Sequence, residues 1–212
     1  MDRLRSPGGC PWDAEQTHAS LVRYAIEETY EFADAVESGS RNDMCEELGD
    51  VLLQVVFHAR IAQEHTDAPF DLNDVANTCA DKLIERHPHV FADTDAGTMP
   101  DPHARWDAIK QQTQPRDSVM DGIPAALPAL ARAQKVLGRA DRAGLQVRAE
   151  AGVGIGEQLL ALVERAQAEG VDAETALREA TRSFEAAARV AETARPRDSA
   201  SADATVTQGS LR

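Results

Sequence analysis

The stretch YAIEETYEFADAV, residues 24–36, sets three glutamates where an amphipathic helix turns its apolar side inward. At 3.6 residues per turn, Leu21, Ala25, Glu28, Phe32 and Ala35 share one stripe, so the period is helical and Glu28 lies within the face that packs. A buried unpaired carboxylate is costly, and is normally neutralised by a raised pKa, a cation or a metal. The remaining chain must supply that partner.

Working outward, the spacing predicts a helix over residues 17–37, with Thr17 as N-cap and the ESGS turn as its stop. A second helix runs from Asp43 to about His65; its centre, VLLQVVFHA, is apolar nearly all round and reads as buried between neighbours. FDLNDVANTCADKLIERHPHVF reads as a third, with Asp71 capping, Asp74 three residues on, and Pro88 stopping it after His87. Turn signals at strand spacing are missing, so the fold class is all-α.

DTDAGTMPDPHA then reads as a loop and RWDAIKQQ as a short helix. Pro115, Pro124 and Pro128 mark a connector that turns helical once the prolines end. An amphipathic pair follows, GEQLLALVERAQAEG and DAETALREATRSFEAAARVAE, before a small, polar, aperiodic tail. The expected division is a domain over 1–114, a connector and helix over 115–146, a second helical hairpin over 147–192 and a disordered tail over 193–212. The two hairpins look alike when Gly49 is aligned with Gly156 and Asp71 with Asp172, which suggests an internal duplication.

A formal net charge of −14 argues against a non-specific nucleic-acid surface, which needs a basic face to displace counterions. No run approaches the roughly 18 apolar residues of a membrane span, and MDRLRSPGGCPWD has no apolar signal core, so the expected location is cytoplasmic. Cys10, Cys45 and Cys79 are scattered, and reduced thiols are the plain reading. An acidic protein that handles phosphates must place a metal cation between itself and them.

Glu28 and Glu31 stand one turn apart on the first helix, and Glu47 and Asp50 one turn apart on the second. If the two helices pack antiparallel across the short turn, four carboxylates converge. All-oxygen ligands favour a hard cation, Mg²⁺ or Mn²⁺, over zinc. The competing reading is a pair of solvated acidic faces, since 36 of 212 residues are Asp or Glu.

Taken in order, GGCPWDAEQTHASLVRYAIEETYEFADAVES, EELGDVLLQVVFHARIAQE, KLIERHPHVF and RWDAIK resemble the MazG family of all-α nucleoside triphosphate pyrophosphohydrolases. The family pattern EExxE followed by ExxD is present as Glu27-Glu28-x-x-Glu31 and Glu47-x-x-Asp50. The resemblance implies Mg²⁺-dependent hydrolysis of nucleoside triphosphates to the monophosphate and pyrophosphate. Glu28, Glu31, Glu47 and Asp50 would hold the metal, with Glu27 as a further ligand or as orienter of the attacking water. Lys82, Arg86 and Lys110 would bind phosphates and Trp106 would stack on base or sugar.

A helical bundle of this kind is expected to be completed by dimerisation, because the apolar band VLLQVVF is too exposed in one chain. Trp12 is open between pocket wall and core anchor, with core preferred, and His87 and His89 read as packing residues. In the second hairpin Gly154 stands at the Glu47 position and Glu157 at the Asp50 position, so no second metal site is expected. The rivals are a base-selective deoxynucleotide pyrophosphatase, similar to dUTPases or dCTPases, and a non-catalytic helical interaction protein.

Overall fold

The computed structural model describes residues 1–91, 117–149 and 152–194. Every regular element among them is a helix, as the sequence predicts. The chain divides into two compact units, Met1–Gln114 and Pro115–Arg212.

In the first unit, α1 (Asp2–Arg5) and α2 (Pro11–Glu15) precede the long hairpin of α3 (His18–Ser38) and α4 (Arg41–Ala62), followed by α5 (Leu72–Arg86) and α6 (Pro88–Phe91). Thr17 begins α3 with a reciprocal cap: its Oγ1 accepts from the Ser20 N–H at 3.2 Å, and its own N–H donates to Ser20 Oγ at 3.0 Å. Gly39 ends α3 in the left-handed region at φ 75°, where a side chain would be strained. Ser40 caps α4 at once, accepting from the Asp43 N–H at 3.3 Å, so α4 starts two residues earlier than Asp43. It also ends earlier than His65, because the last turn tightens, with the Glu64 and His65 N–H groups donating to Ile61 and Ala62 carbonyls.

α3 and α4 pack along their length; Leu21 and Ala35 on the one and Phe57, Ala59 and Ala62 on the other are buried. In VLLQVVF the expected burial holds on one side only: Gln54 and Phe57 are buried, whereas Leu52, Leu53 and Val55 are exposed. Asp71 caps α5 by accepting from the Asn73 and Asp74 N–H groups at 2.7 and 3.0 Å, and α5 packs on α4. Pro88 stops α5 and also opens the single turn of α6.

The N-terminal arm is fastened by Arg5, whose side chain is only 4% exposed. Its guanidinium donates to both oxygens of Glu64 at 3.0 and 2.8 Å and to the carbonyls of Asp13 and Gln16 at 2.5 and 3.1 Å. The same group lies 5.7 Å from the ring centre of Phe57. Arg60 adds a second tie, donating to Asp2 at 2.9 Å and to Glu64 at 2.9 Å.

The second unit contains α7 (Ala129–Arg142), α8 (Ile155–Ala168) and α9 (Ala173–Ala194). Gln134 on α7 holds the α8–α9 turn, donating to the Val171 carbonyl at 2.8 Å and accepting from the Ala173 N–H at 2.9 Å. Asp172 accepts from the Thr175 N–H at 2.8 Å, the capping role that Asp71 has for α5. α9 continues to Ala194, so the first two residues of the expected tail are helical. Residues 195–212, the loop and short helix expected over 93–112, Trp106 and Lys110 lie outside the described residues.

Candidate metal centre

The antiparallel hairpin brings carboxylate oxygens of Glu28, Glu47 and Asp50 within 4.8 Å of one another, each side chain half-buried. This is the only such group of three acids, histidines or cysteines among the described residues. Glu28 sits in the stripe between buried Leu21 and buried Ala35, which explains how a charged side chain comes to face the neighbouring helix.

Burial raises the Glu28 pKa above its ordinary value, and the charges of Asp50 and Glu31, a hydrogen bond with the Glu31 carboxyl and the charge of Glu27 add to it. Glu47 is also raised, by desolvation first and then by the charges of Glu31 and Asp50. Glu31 thus acts electrically on both helices, although it is exposed and stands outside the tight group of three. Glu27 is exposed on the next position around α3.

A divalent ion fits this arrangement on one direct observation: Glu47 Oε2 is buried and has no hydrogen-bond partner. A carboxylate oxygen without a proton donor among other carboxylates is unfavourable unless a cation meets it. The donors are all oxygen, which suits Mg²⁺ or Mn²⁺.

The predicted phosphate-binding side chains on α5 stand one turn apart, Lys82 exposed and Arg86 half-buried near the helix end. Trp12 departs from the expected core position: it is 50% exposed and meets Tyr24 edge-on at 6.1 Å, one turn before Glu28 on α3. The reason is the Arg5 clamp, which secures α2 through its backbone carbonyls and leaves the indole free of the core. His87 and His89 lie against each other with ring centres 5.7 Å apart, and His87 Nδ1 is 2.8 Å from the Leu83 carbonyl oxygen, closing the α5 terminus.

Two features went unread in the sequence. Gln54 is the one polar residue inside VLLQVVF, and that interruption was a signal. His18 and His58 pair with Nδ1 atoms 2.7 Å apart and rings stacked at 5.0 Å, across 40 residues of chain that carry no local sign of it.

In the second unit the aligned positions serve a different purpose. Gly154 caps α8 and Glu157 turns back to accept from the Gly154 N–H at 3.1 Å, so its carboxylate is committed to the helix end.

The MazG nucleotide pyrophosphohydrolase domain matches residues 16–91 of this chain. An uncharacterized 26.1 kDa protein of Streptomyces cacaoi is 51% identical over 194 residues, 91% of this chain and 79% of that protein. The nucleoside triphosphate pyrophosphohydrolase of Mycobacterium tuberculosis is 46% identical over 194 residues, 92% of this chain; the chain spans only 56% of that relative. The nucleoside triphosphate pyrophosphohydrolase/pyrophosphatase MazG of Thermotoga maritima is 38% identical over 208 residues, 87% of this chain and 79% of the relative. With its carboxylates gathered on one helical hairpin, and with relatives that match it over most of its length, this chain belongs to the MazG family.

Proposed function

We propose that the protein hydrolyses nucleoside triphosphates with a divalent cation, taking up water and releasing a nucleoside monophosphate and pyrophosphate. The observation that carries this reading is the meeting of Glu28, Glu47 and Asp50 around an unpartnered Glu47 oxygen. These three would hold Mg²⁺, or Mn²⁺, with Glu31 completing the set; the ion when bound neutralises phosphate charge and makes a bound water more acidic. Glu27, exposed beside them, is suited to orient water. Lys82 and Arg86, with Lys110 and Trp106, would meet the phosphates and the base or sugar.

The names of the relatives support the reaction class, and the acidic surface suits a soluble enzyme of the cytoplasmic nucleotide pool with no nucleic-acid partner. The apolar residues left uncovered on α4, Leu48, Leu52 and Leu53 among them, support a homodimer in which helices of two chains complete the bundle. The second unit would serve packing, since its aligned positions hold Gly154 and a committed Glu157.

The deciding experiment is a phosphate-release assay over the eight common nucleoside triphosphates with Mg²⁺, run with and without added inorganic pyrophosphatase. Phosphate that appears only when pyrophosphatase is present is the expected result. Phosphate without it would place the cleavage elsewhere, and activity on one deoxynucleotide alone would favour the base-selective reading. No turnover with any substrate would leave the helical interaction protein. Light scattering at micromolar concentration is expected to give the mass of two chains.

A further inference from the structure

At the end of the hairpin remote from Gly39, the first residue of α3 meets the last turns of α4. The Nδ1 atoms of His18 and His58 lie 2.7 Å apart, and the two rings are parallel to within 2°. At that distance one imidazole donates its Nδ1–H and the other accepts on its Nδ1 lone pair, so the rings hold opposite tautomers. The bond joins the two helices at their open ends, which the tight turn at Gly39 does not reach.

We propose that the His18–His58 bond is an acid-sensitive latch on the hairpin that carries the carboxylates, closed while the pair holds no more than one added proton and opened by the second. The proton count follows from the bond itself. A first proton goes to Nε2 of the donor ring, whose Nδ1–H still meets the lone pair opposite, and the hydrogen bond becomes charge-assisted. A second proton has only the accepting Nδ1 left to bind. Two N–H groups and two positive charges then face each other across 2.7 Å, and the contact cannot persist.

The surroundings act in the same direction. His58 is half-buried in a wall formed by Ala25 and Thr29 of α3, Val55 of α4, and Phe70 and Val75 at the start of α5, none of them charged. Burial first, and then the charge of His18, hold its pKa below the ordinary value. The charged groups of the elements around it are engaged elsewhere. Arg60 and Glu64 on α4 are tied to Asp2 and Arg5 of α1, Arg23 on α3 lies over the Tyr24 ring, and Asp71 and Asp74 cap α5. Because the folded pKa of His58 lies below the unfolded one, the latch stabilises fully above about pH 6.5 and is lost as pH falls through the lowered value. It belongs to the hairpin and works whether or not the centre hydrolyses nucleotides.

The test uses the full chain, with nitrogen-15 NMR of the imidazoles from about pH 8 to about pH 5 and amide hydrogen exchange at Leu21 and Ala62. At neutral pH one ring is expected to carry its proton on Nδ1 and the other on Nε2. Titration should show two separate steps, the lower on His58, with exchange protection at both amides falling at least about 10-fold across that lower step. In His58→Gln the carboxamide still bonds to His18 but takes no proton, so protection should stay level over the same range. In His18→Ala, at an exposed position, His58 should titrate higher because the like charge is gone. Matching tautomers on the two rings, independent single steps at about 6.5, or a His58 step that does not move in His18→Ala would each overturn the latch. Protection that falls equally in His58→Gln would also overturn it, by assigning the acid opening to other groups. Should His58→Gln not fold, the wild-type titration and His18→Ala decide the same question.

Discussion

At the scale of single residues, Glu28 sits in an apolar stripe while its neighbours, Asp50 and Glu31, share its charge. A carboxyl whose folded pKa is raised above its ordinary value takes up protons more readily in the folded state than in the unfolded one. The metal-free protein should therefore lose stability as pH rises through that raised value, and Glu28→Gln removes the loss. We expect Glu28→Gln to melt higher than wild type in EDTA at neutral pH, by scanning calorimetry, and to gain nothing from added Mg²⁺. Turnover of the variant should fall by at least about 100-fold, as for loss of one strong electrostatic contact at a reacting centre; Asp50→Asn should behave alike. Glu28 was legible because its oddity is a matter of period, which sequence displays. Gln54 was equally visible as an interruption, but what it faces depends on α5, and no spacing rule shows that.

At the scale of elements, boundaries set by neighbours in sequence were readable and those set by distant partners were not. Thr17 and Asp71 cap through residues three positions away, so α3 and α5 begin where their sequences say. α1 and α2 have four and five residues, too few to show any period, and their order comes from Arg5 reaching Glu64, 59 positions later. That clamp should be visible in acid. Arg5 bonding, together with Arg60, holds the Glu64 carboxyl below its usual range, so this stabilisation is present above about pH 4.5 and is lost as pH falls through the lowered value. Glu64→Gln is expected to lower stability by roughly 1 kcal/mol at neutral pH, after allowing for its half-exposed position. The gap from wild type should close as pH falls through that lowered value, followed by urea titration at each pH. A gap that persisted at low pH would mean that the clamp contributes through packing alone.

For the whole molecule, the two compact units divide the labour unequally. Every proposed ligand and contact from Glu27 to Lys110 precedes Pro115, and the paired hairpin after it has turned its acid into a cap. Truncation after Gln114 should leave a helical protein with turnover per site within a few-fold of full length, measured beside circular dichroism; a folded but inactive fragment would mean that the second unit completes the pocket. Some loss of stability is expected if it shields apolar area, at about 25 cal/mol per Å². The all-α architecture was legible throughout, since helical period runs through nearly every segment. How far the apolar band of α4 is covered was not, because VLLQVVF reads the same whether its outer side meets its own chain or another.

The left-handed Gly39 and the cap that follows it directly leave the turn between α3 and α4 without a spare residue. Counted from Gly39, Glu31 and Glu47 each lie eight positions away (39 − 31 and 47 − 39), and Glu28 and Asp50 each lie eleven (39 − 28 and 50 − 39). The acids are thus laid out as mirror images about a crease, at about 12 and 16 Å up each arm for a rise of 1.5 Å per residue. Length at the crease is in effect a calibration of the centre, because one added residue offsets the arms and swings one of them by about 100°. A single alanine inserted after Gly39 should abolish metal-dependent turnover, whereas the same insertion after Asp67, where no such symmetry is kept, should be tolerated.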